Sequence, residues 1–223
     1  MLKRVDAVTC VAPHVSDYYR RRGVRARFIP NGLDFKELPS EAERLYEKQV
    51  IYAGRLSYEK GFDILLEAAK RVDPGIHLVV VGSGLRELEE RAKRLSSLLP
   101  NFHYLGFREH AETLKLIAGS DALVLPSRSE GLSTAVLEAM ALRVPVIAAR
   151  IPGITSVFSE AHVVLVEPEN PERLAEAINR TVKDPPLHLL DSAYRLVKER
   201  FDWDIIADQY LRLYEELLQG TSR

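Results

Sequence analysis

Val50-Ile51-Tyr52-Ala53-Gly54-Arg55-Leu56-Ser57-Tyr58-Glu59-Lys60-Gly61 opens with four apolar residues and ends on a glycine that leads into a 3.6-residue period. The first four read as a buried strand ending at Gly54. From Phe62 to Val72, Leu65, Leu66, Ala69 and Val72 fall on one helical stripe. The pattern then repeats. His77–Val81 reads as a strand ending at Gly82-Ser83-Gly84, and Leu85–Leu99 as a charged amphipathic helix. Phe102–Leu105 is a strand ending at Gly106, Ala111–Ala118 a helix, and Ala122–Leu125 a strand before Pro126. Helix Ser133–Leu142, strand Pro145–Ala149, a short helical piece after Pro152-Gly153 and strand His162–Val166 continue it. Helices Pro171–Val182, Leu187–Arg200 and Trp203–Leu218 close the chain.

Strands that are apolar on both faces, alternating with helices, predict an α/β fold: a Rossmann-like, doubly wound parallel sheet closed by C-terminal helices. Ligands of such sheets bind beyond the carboxyl ends of the strands. Those ends are the loops at Gly54, Gly82, Gly106, Ser127 and Arg150. Residues 1–48 read differently. Asp6–Ala12 is predicted as a strand, Val15–Arg22 as a helix and Arg27–Ile29 as a short strand before the turn Pro30-Asn31-Gly32. Phe35–Lys48 is polar and reads as a linker or hinge, so residues 49–223 form the main predicted domain.

Bulk properties narrow the function. With 223 residues, 46% of them hydrophobic, the chain can bury a sizeable core. Its 31 basic and 32 acidic residues give a net charge of −1, which removes the electrostatic argument for nucleic-acid binding. Arg20-Arg21-Arg22, the sharpest basic cluster, reads as a solvated helix end. The single cysteine, Cys10, cannot form an internal disulfide or a Cys-rich metal site, and its apolar neighbours suggest burial. No apolar run is long enough to span a membrane, and Asp6 breaks the only weak mimic of a leader, so a cytoplasmic location is expected. Scarce Asn and Gln beside abundant Glu, Lys and Arg fit a heat-adapted source.

Two constellations carry chemistry. Arg55 and Lys60, five residues apart on a strand-to-helix loop, can converge on one anion such as a diphosphate. The same loop also reads as a solvated turn in which Gly61 merely starts a helix. Glu130-Gly131-Leu132-Ser133-Thr134-Ala135-Val136-Leu137-Glu138 places one acid before a helix and another about two turns into it. Free amides from Gly131 to Thr134 would attract phosphate, although Ser133 or Thr134 can instead cap the helix.

The Glu-x₇-Glu stretch, the Gly54-Arg55…Glu59-Lys60-Gly61 loop and Glu138-Ala139-Met140-Ala141…Pro145-Val146-Ile147-Ala148 together resemble glycosyltransferase family 4, in order and in spacing. The likeness runs from Val50 to Leu218, and Ile29-Pro30-Asn31-Gly32-Leu33-Asp34 is similar to that family's junction between two domains. The resemblance implies a GT-B fold and retaining, metal-independent hexosyl transfer from a nucleotide sugar, with UDP expected and GDP or ADP as alternatives. It implies that Arg55 and Lys60 hold the donor diphosphate, that Glu138 holds the ribose and that Glu130 lies near the transferred sugar. Gly106 and Phe107 would meet the base. Gly54, Gly82 and Gly84 would border the pocket, with Gly131, Leu132, Ser133 and Thr134 at the helix start. On this resemblance Arg55, Lys60 and Glu130 are the catalytic candidates.

The pattern departs from the family at Leu132-Ser133, where Phe-Gly is usual, and at Arg143, where Gly is usual. The Pro152-Gly153-Ile154-Thr155-Ser156 loop lacks the usual acid. Residues 1–48 correspond only to the end of the acceptor-binding domain, so the acceptor is not readable. A non-catalytic nucleotide-sugar-binding module, or a subunit needing a partner for its acceptor side, is the alternative reading. None of the six histidines sits in a motif, His14 being the nearest to a candidate. The apolar stripe Ile205, Ile206, Tyr210, Leu213, Tyr214, Leu217 and Leu218 reads as core packing, with an exposed part available to a partner or a second copy.

Overall fold

A computed structural model describes residues 5–220. The chain begins with β1 (Val8–Cys10), α1 (Pro13–Arg20) and β2 (Ala26–Phe28). β1 and β2 pair in parallel as a two-stranded sheet, Val8 opposite Ala26 and Cys10 opposite Phe28. β1 is shorter than the Asp6–Ala12 run because its partner offers only three residues to pair with. Cys10 is buried and unbonded, as its neighbours suggest.

Six further strands follow: β3 (Gln49–Ala53), β4 (His77–Val81), β5 (Phe102–Gly106), β6 (Ala122–Leu125), β7 (Val146–Ala149) and β8 (Val164–Val166). They form one all-parallel sheet in the order β5-β4-β3-β6-β7-β8. The connecting helices are α2 (Phe62–Ala69), α3 (Arg86–Leu98), α4 (His110–Ala118), α5 (Thr134–Ala141), α6 (Pro152–Thr155) and α7 (Pro171–Lys183). α8 (Leu187–Arg200) and α9 (Trp203–Gly220) close the chain. Helices α2, α3 and α7 cover one face, and α4, α5 and α8 cover the other.

This burial explains the unbroken apolar strands. Successive side chains point to opposite faces. Ile51, Ala53, Val79, Val81, Leu123 and Leu125 join the core under α5 and α8. Val50, Tyr52, Leu78, Val80, Ala122 and Val124 join the core under α2 and α7. Both sets need carbon, so the strands show no alternation.

Local chemistry trims the elements. α2 ends at Ala69, short of Val72, because Asp73 starts a turn in which Gly75 N–H donates to its carboxylate at 2.8 Å. β8 starts at Val164 because His162 belongs to a turn whose Ser159 N–H donates to its Nδ1 at 3.2 Å. Two residues past the end of α5, Arg143 takes a positive φ of 57°, where the related pattern has glycine. Its guanidinium pairs with Asp191 and lies over the Tyr194 ring, 4.4 Å from the centroid, which offsets backbone strain.

Residues 35–48, read from sequence as a linker, lie strapped across the larger sheet, with Leu33 fixed just before them. Leu33 bridges to Asp202, and Phe35–Glu37 forms one 3₁₀ turn whose Phe35 meets Tyr194 edge-on. Glu43 N–H donates to the Lys115 carbonyl at 2.9 Å, and Arg44 pairs with Asp121 at 2.8 Å. Tyr46 stacks on both His77 and His103 at 4.2 Å. α9 then crosses back to the first 30 residues, where Ile206 and Leu213 pack with Ile29. Trp203 sits so close to Gly32 that a Cβ there would overlap its indole. Leu211 and Tyr214 of α9 remain exposed. Among the described residues, no helix is long and apolar enough to cross a membrane.

Candidate functional site

The carboxyl ends of β3, β4, β5 and β6 open onto a cleft in two lobes. One, of about 540 Å³, lies between Gly54-Arg55, Gly82-Ser83, Phe107–His110 and the Thr134–Glu138 face of α5. The other, of about 380 Å³, lies between Lys60, Glu130 and Leu132–Ala135, and Asn31 reaches it. Ala53, Gly54, Arg55, Thr134 and Ala135 line both. Arg55 therefore stands where the lobes meet.

The Gly54–Gly61 loop is held from three sides. Tyr52 OH donates to the Arg55 carbonyl at 2.7 Å. Burial, with the Glu130 charge, pushes that phenol well above its ordinary pKa, so it stays a donor. Leu56 bridges to Gly84, whose missing Cβ leaves room for the Leu56 carbonyl. Gly61 starts α2 at φ 62°, and a Cβ there would overlap the Pro126 carbonyl oxygen. Arg128 ties the loop to the end of β6: it donates to the Tyr58 carbonyl at 2.6 Å and makes a two-pronged pair with Asp63 at 2.7 and 2.9 Å. Burial works to raise the Asp63 pKa, but those bonds and the Arg128 charge outweigh it and hold the carboxyl below its usual range.

In the smaller lobe Glu130 is 6% exposed. Its Oε1 accepts from Ser127 Oγ at 2.6 Å and its Oε2 from Lys60 Nζ at 2.7 Å. α6 packs directly behind it: a Cβ on Gly153 would overlap the Glu130 carbonyl oxygen. In the larger lobe Glu138 is 8% exposed and its Oε1 meets His110 Nε2 at 2.8 Å. Between the two acids, α5 begins without a side-chain cap, since Ser133 occupies the N-cap position but makes no capping bond. The first amides of α5 thus face the cleft with the helix dipole behind them. Arg55 is exposed, and its guanidinium makes no hydrogen bond or ion pair among the described residues.

The structure brings together most of the residues singled out from sequence. Gly54, Arg55, Gly82, Phe107, Thr134 and Glu138 line the larger lobe, and Lys60, Glu130, Leu132 and Ser133 the smaller. Gly84, Gly106 and Gly131 lie outside both. Gly84 serves the pairing with Leu56, Gly106 turns the chain at φ 72°, and Gly131 approaches Val11 of the leading segment. Sequence reasoning passed over Ser127, Arg128 and His110. Ser127, three residues before Glu130, carried a usable signal. His110 and Arg128 meet their partners only across helices or loops. His14 donates to or accepts from Ser156 Oγ at 3.3 Å. Among the described residues, no group of three or more His, Cys, Asp or Glu is placed to hold a metal ion.

The family model for glycosyl transferases group 1 matches residues 35–199, most of the chain. The chain belongs to this family. Uncharacterized glycosyltransferase MJ1607 of Methanocaldococcus jannaschii is 28% identical over 183 residues, covering 79% of this chain and 47% of that protein. The putative teichuronic acid biosynthesis glycosyltransferase TuaC of Bacillus subtilis is 33% identical over 162 residues, covering 71% and 39%. The chain spans about half the length of the curated relatives it matches. In three dimensions this glycosyltransferase domain superposes on sucrose-phosphate synthase from Thermosynechococcus elongatus with a TM-score of 0.83 at 28% identity, covering 98% of this chain and 60% of that one. Anabaena Alr3699/HepE, solved in complex with UDP and glucose, shares the fold with a TM-score of 0.83 at 23% identity, covering 95% and 63%. The six-stranded sheet and its helices are those of a GT-B Rossmann-like domain.

Proposed function

We propose that the cleft binds a nucleoside diphosphate sugar and that the chain serves retaining, metal-independent hexosyl transfer. The observation that carries this reading is Arg55: a cation unpaired among the described residues, at the meeting of two lobes and beside the uncapped N-terminus of α5. The diphosphate would lie there, Arg55 supplying a planar fork and α5 its free amides. Nucleoside would fill the larger lobe, the ribose hydroxyls on Glu138 and the base against Phe107, the residue that follows the Gly106 turn. The sugar would fill the smaller lobe beside Glu130. As the bond from anomeric carbon to phosphate oxygen breaks, charge grows on the diphosphate. Arg55, Lys60 and the helix amides are placed to stabilise it.

UDP is the preferred nucleotide of this reading, supported by the UDP held in the related fold, with GDP and ADP as the alternatives. Residues 1–48 are assigned to the end of an acceptor-binding domain, and the exposed Tyr214 of the α9 stripe to contact with a partner or a second copy. A cytoplasmic setting completes the assignment. The test is a thermal-shift series of the purified chain with UDP-, GDP- and ADP-glucose. A ligand at 100 times its Kd should stabilise the fold by about 2.7 kcal/mol. One nucleotide should raise the Tm in the native chain and not in Arg55→Ala; equal shifts in both would overturn the assignment.

A further inference from the structure

We propose that the Lys60–Glu130 ion pair makes this pocket distinguish a sugar-bearing nucleotide from the free nucleoside diphosphate. The inference rests on the donor-site reading above and adds a specificity role to two of its residues. Its basis is that both Glu130 oxygens are already satisfied inside the protein, one by Ser127 Oγ and the other by Lys60 Nζ. The Glu130 side chain is only 3% exposed, against 27% for Lys60. Tyr52, another buried polar group nearby, donates its hydrogen bond to the Arg55 carbonyl and not to Glu130. Lys60 is thus the cation that balances a buried carboxylate.

A diphosphate that recruits Lys60 has to draw it off Glu130. The carboxylate is then left with Ser127 alone, and a buried charge that loses its partner is costly. A sugar hydroxyl beside Oε2 can donate the hydrogen bond that Lys60 gave up, so the nucleotide sugar restores the balance it disturbs. A free nucleoside diphosphate brings no such donor, and its terminal phosphate adds negative charge close to Glu130. The same pair therefore disfavours the product of transfer relative to the donor. Arg55, with no partner to abandon, contributes equally to both ligands.

The experiment is calorimetric titration of the intact chain with UDP and with UDP-glucose, repeated with the GDP and ADP pairs if those bind better. Glu130→Gln frees Lys60 while keeping the shape of the side chain. It should bind UDP about tenfold tighter than the native chain, the equivalent of one charged hydrogen bond released. The preference for UDP-glucose over UDP should shrink correspondingly. Ser127→Ala, which leaves Glu130 dependent on Lys60 alone, should shift the ratio the other way. Unchanged or weaker UDP binding in Glu130→Gln, with Arg55→Ala still abolishing binding, would overturn the inference and leave the donor site standing. Failure of every nucleotide to bind, or indifference to Arg55→Ala, would overturn both. Melting curves of each variant separate loss of fold from loss of binding.

Discussion

The two lobes of the cleft are built on opposite terms. Around Glu130 the charges are buried and answer one another: Ser127 and Lys60 on the carboxylate, α6 pressed behind it. At the junction with the larger lobe, Arg55 faces solvent with no partner for its guanidinium among the described residues, and Phe107 is 64% exposed. Rigidity and vacancy are thus separated within one site. A pre-paired region resists change in shape and penalises a ligand that breaks its pairs without replacing them. A region of unpaired donors gives affinity without first disrupting the protein. Substitutions in the first region should therefore change stability together with ligand preference, and those in the second should change binding alone.

The largest expected effect is on the frame beneath the paired lobe. Gly61→Ala forces a Cβ onto the Pro126 carbonyl at a positive φ, and should cost about 3 kcal/mol or more in urea unfolding. Arg128→Met comes next. It leaves Asp63 half-enclosed without its partner, for an expected loss of about 1–2 kcal/mol at pH 7. Its pH dependence carries a sign. Asp63 has a folded pKa below its unfolded one, so its stabilisation is complete above the ordinary carboxylate range and is lost as pH falls through the depressed value. The native chain should lose stability on acidification more steeply than Arg128→Met. Arg55→Ala should alter unfolding by no more than about 0.5 kcal/mol, since its guanidinium bonds to no described residue. A cost near that of Arg128→Met would erase the contrast between the lobes.

The smallest effect lies at the opposite end of the sheet, where Tyr46, His77 and His103 stack. Burial, with the neighbouring His77, holds the His103 pKa below its ordinary value. Folding therefore favours neutral His103. Its contribution is present above about pH 6.5 and is lost as pH falls from there toward the folded value. Urea midpoints at pH 7.5 and 5.5 should show a slope that His103→Phe reduces.

Sequence carried the central sheet well, because strands buried on both faces leave continuous apolar runs and their glycine ends are conspicuous. It pointed to Arg55, Lys60 and Glu130 for a similar reason, since each lies at a strand end or just before a helix, and to Glu138 by its fixed spacing from Glu130 along α5. What it could not carry was contact across the fold. His110 reaches Glu138 over 28 positions and Arg128 reaches Asp63 over 65, and no local spacing encodes either. Gly153 read as a turn glycine, although the close approach of the Glu130 backbone is what excludes a side chain there. Residues 35–48 read as a hinge from polar composition. Their fixed course comes from particular pairs, Arg44 with Asp121 and Tyr46 with the two histidines, that composition does not contain.

Two other clefts of similar size, about 560 and 550 Å³, flank Arg180 beside β8, so the location of the ligand is the sharpest test of the account. Hydrogen exchange of the chain, with and without saturating nucleotide sugar, reads that location directly. The account predicts slowed exchange over residues 54–61, 106–110 and 131–138, covering both lobes together. Protection confined to 160–189, with the α5 N-terminus unchanged, would contradict it.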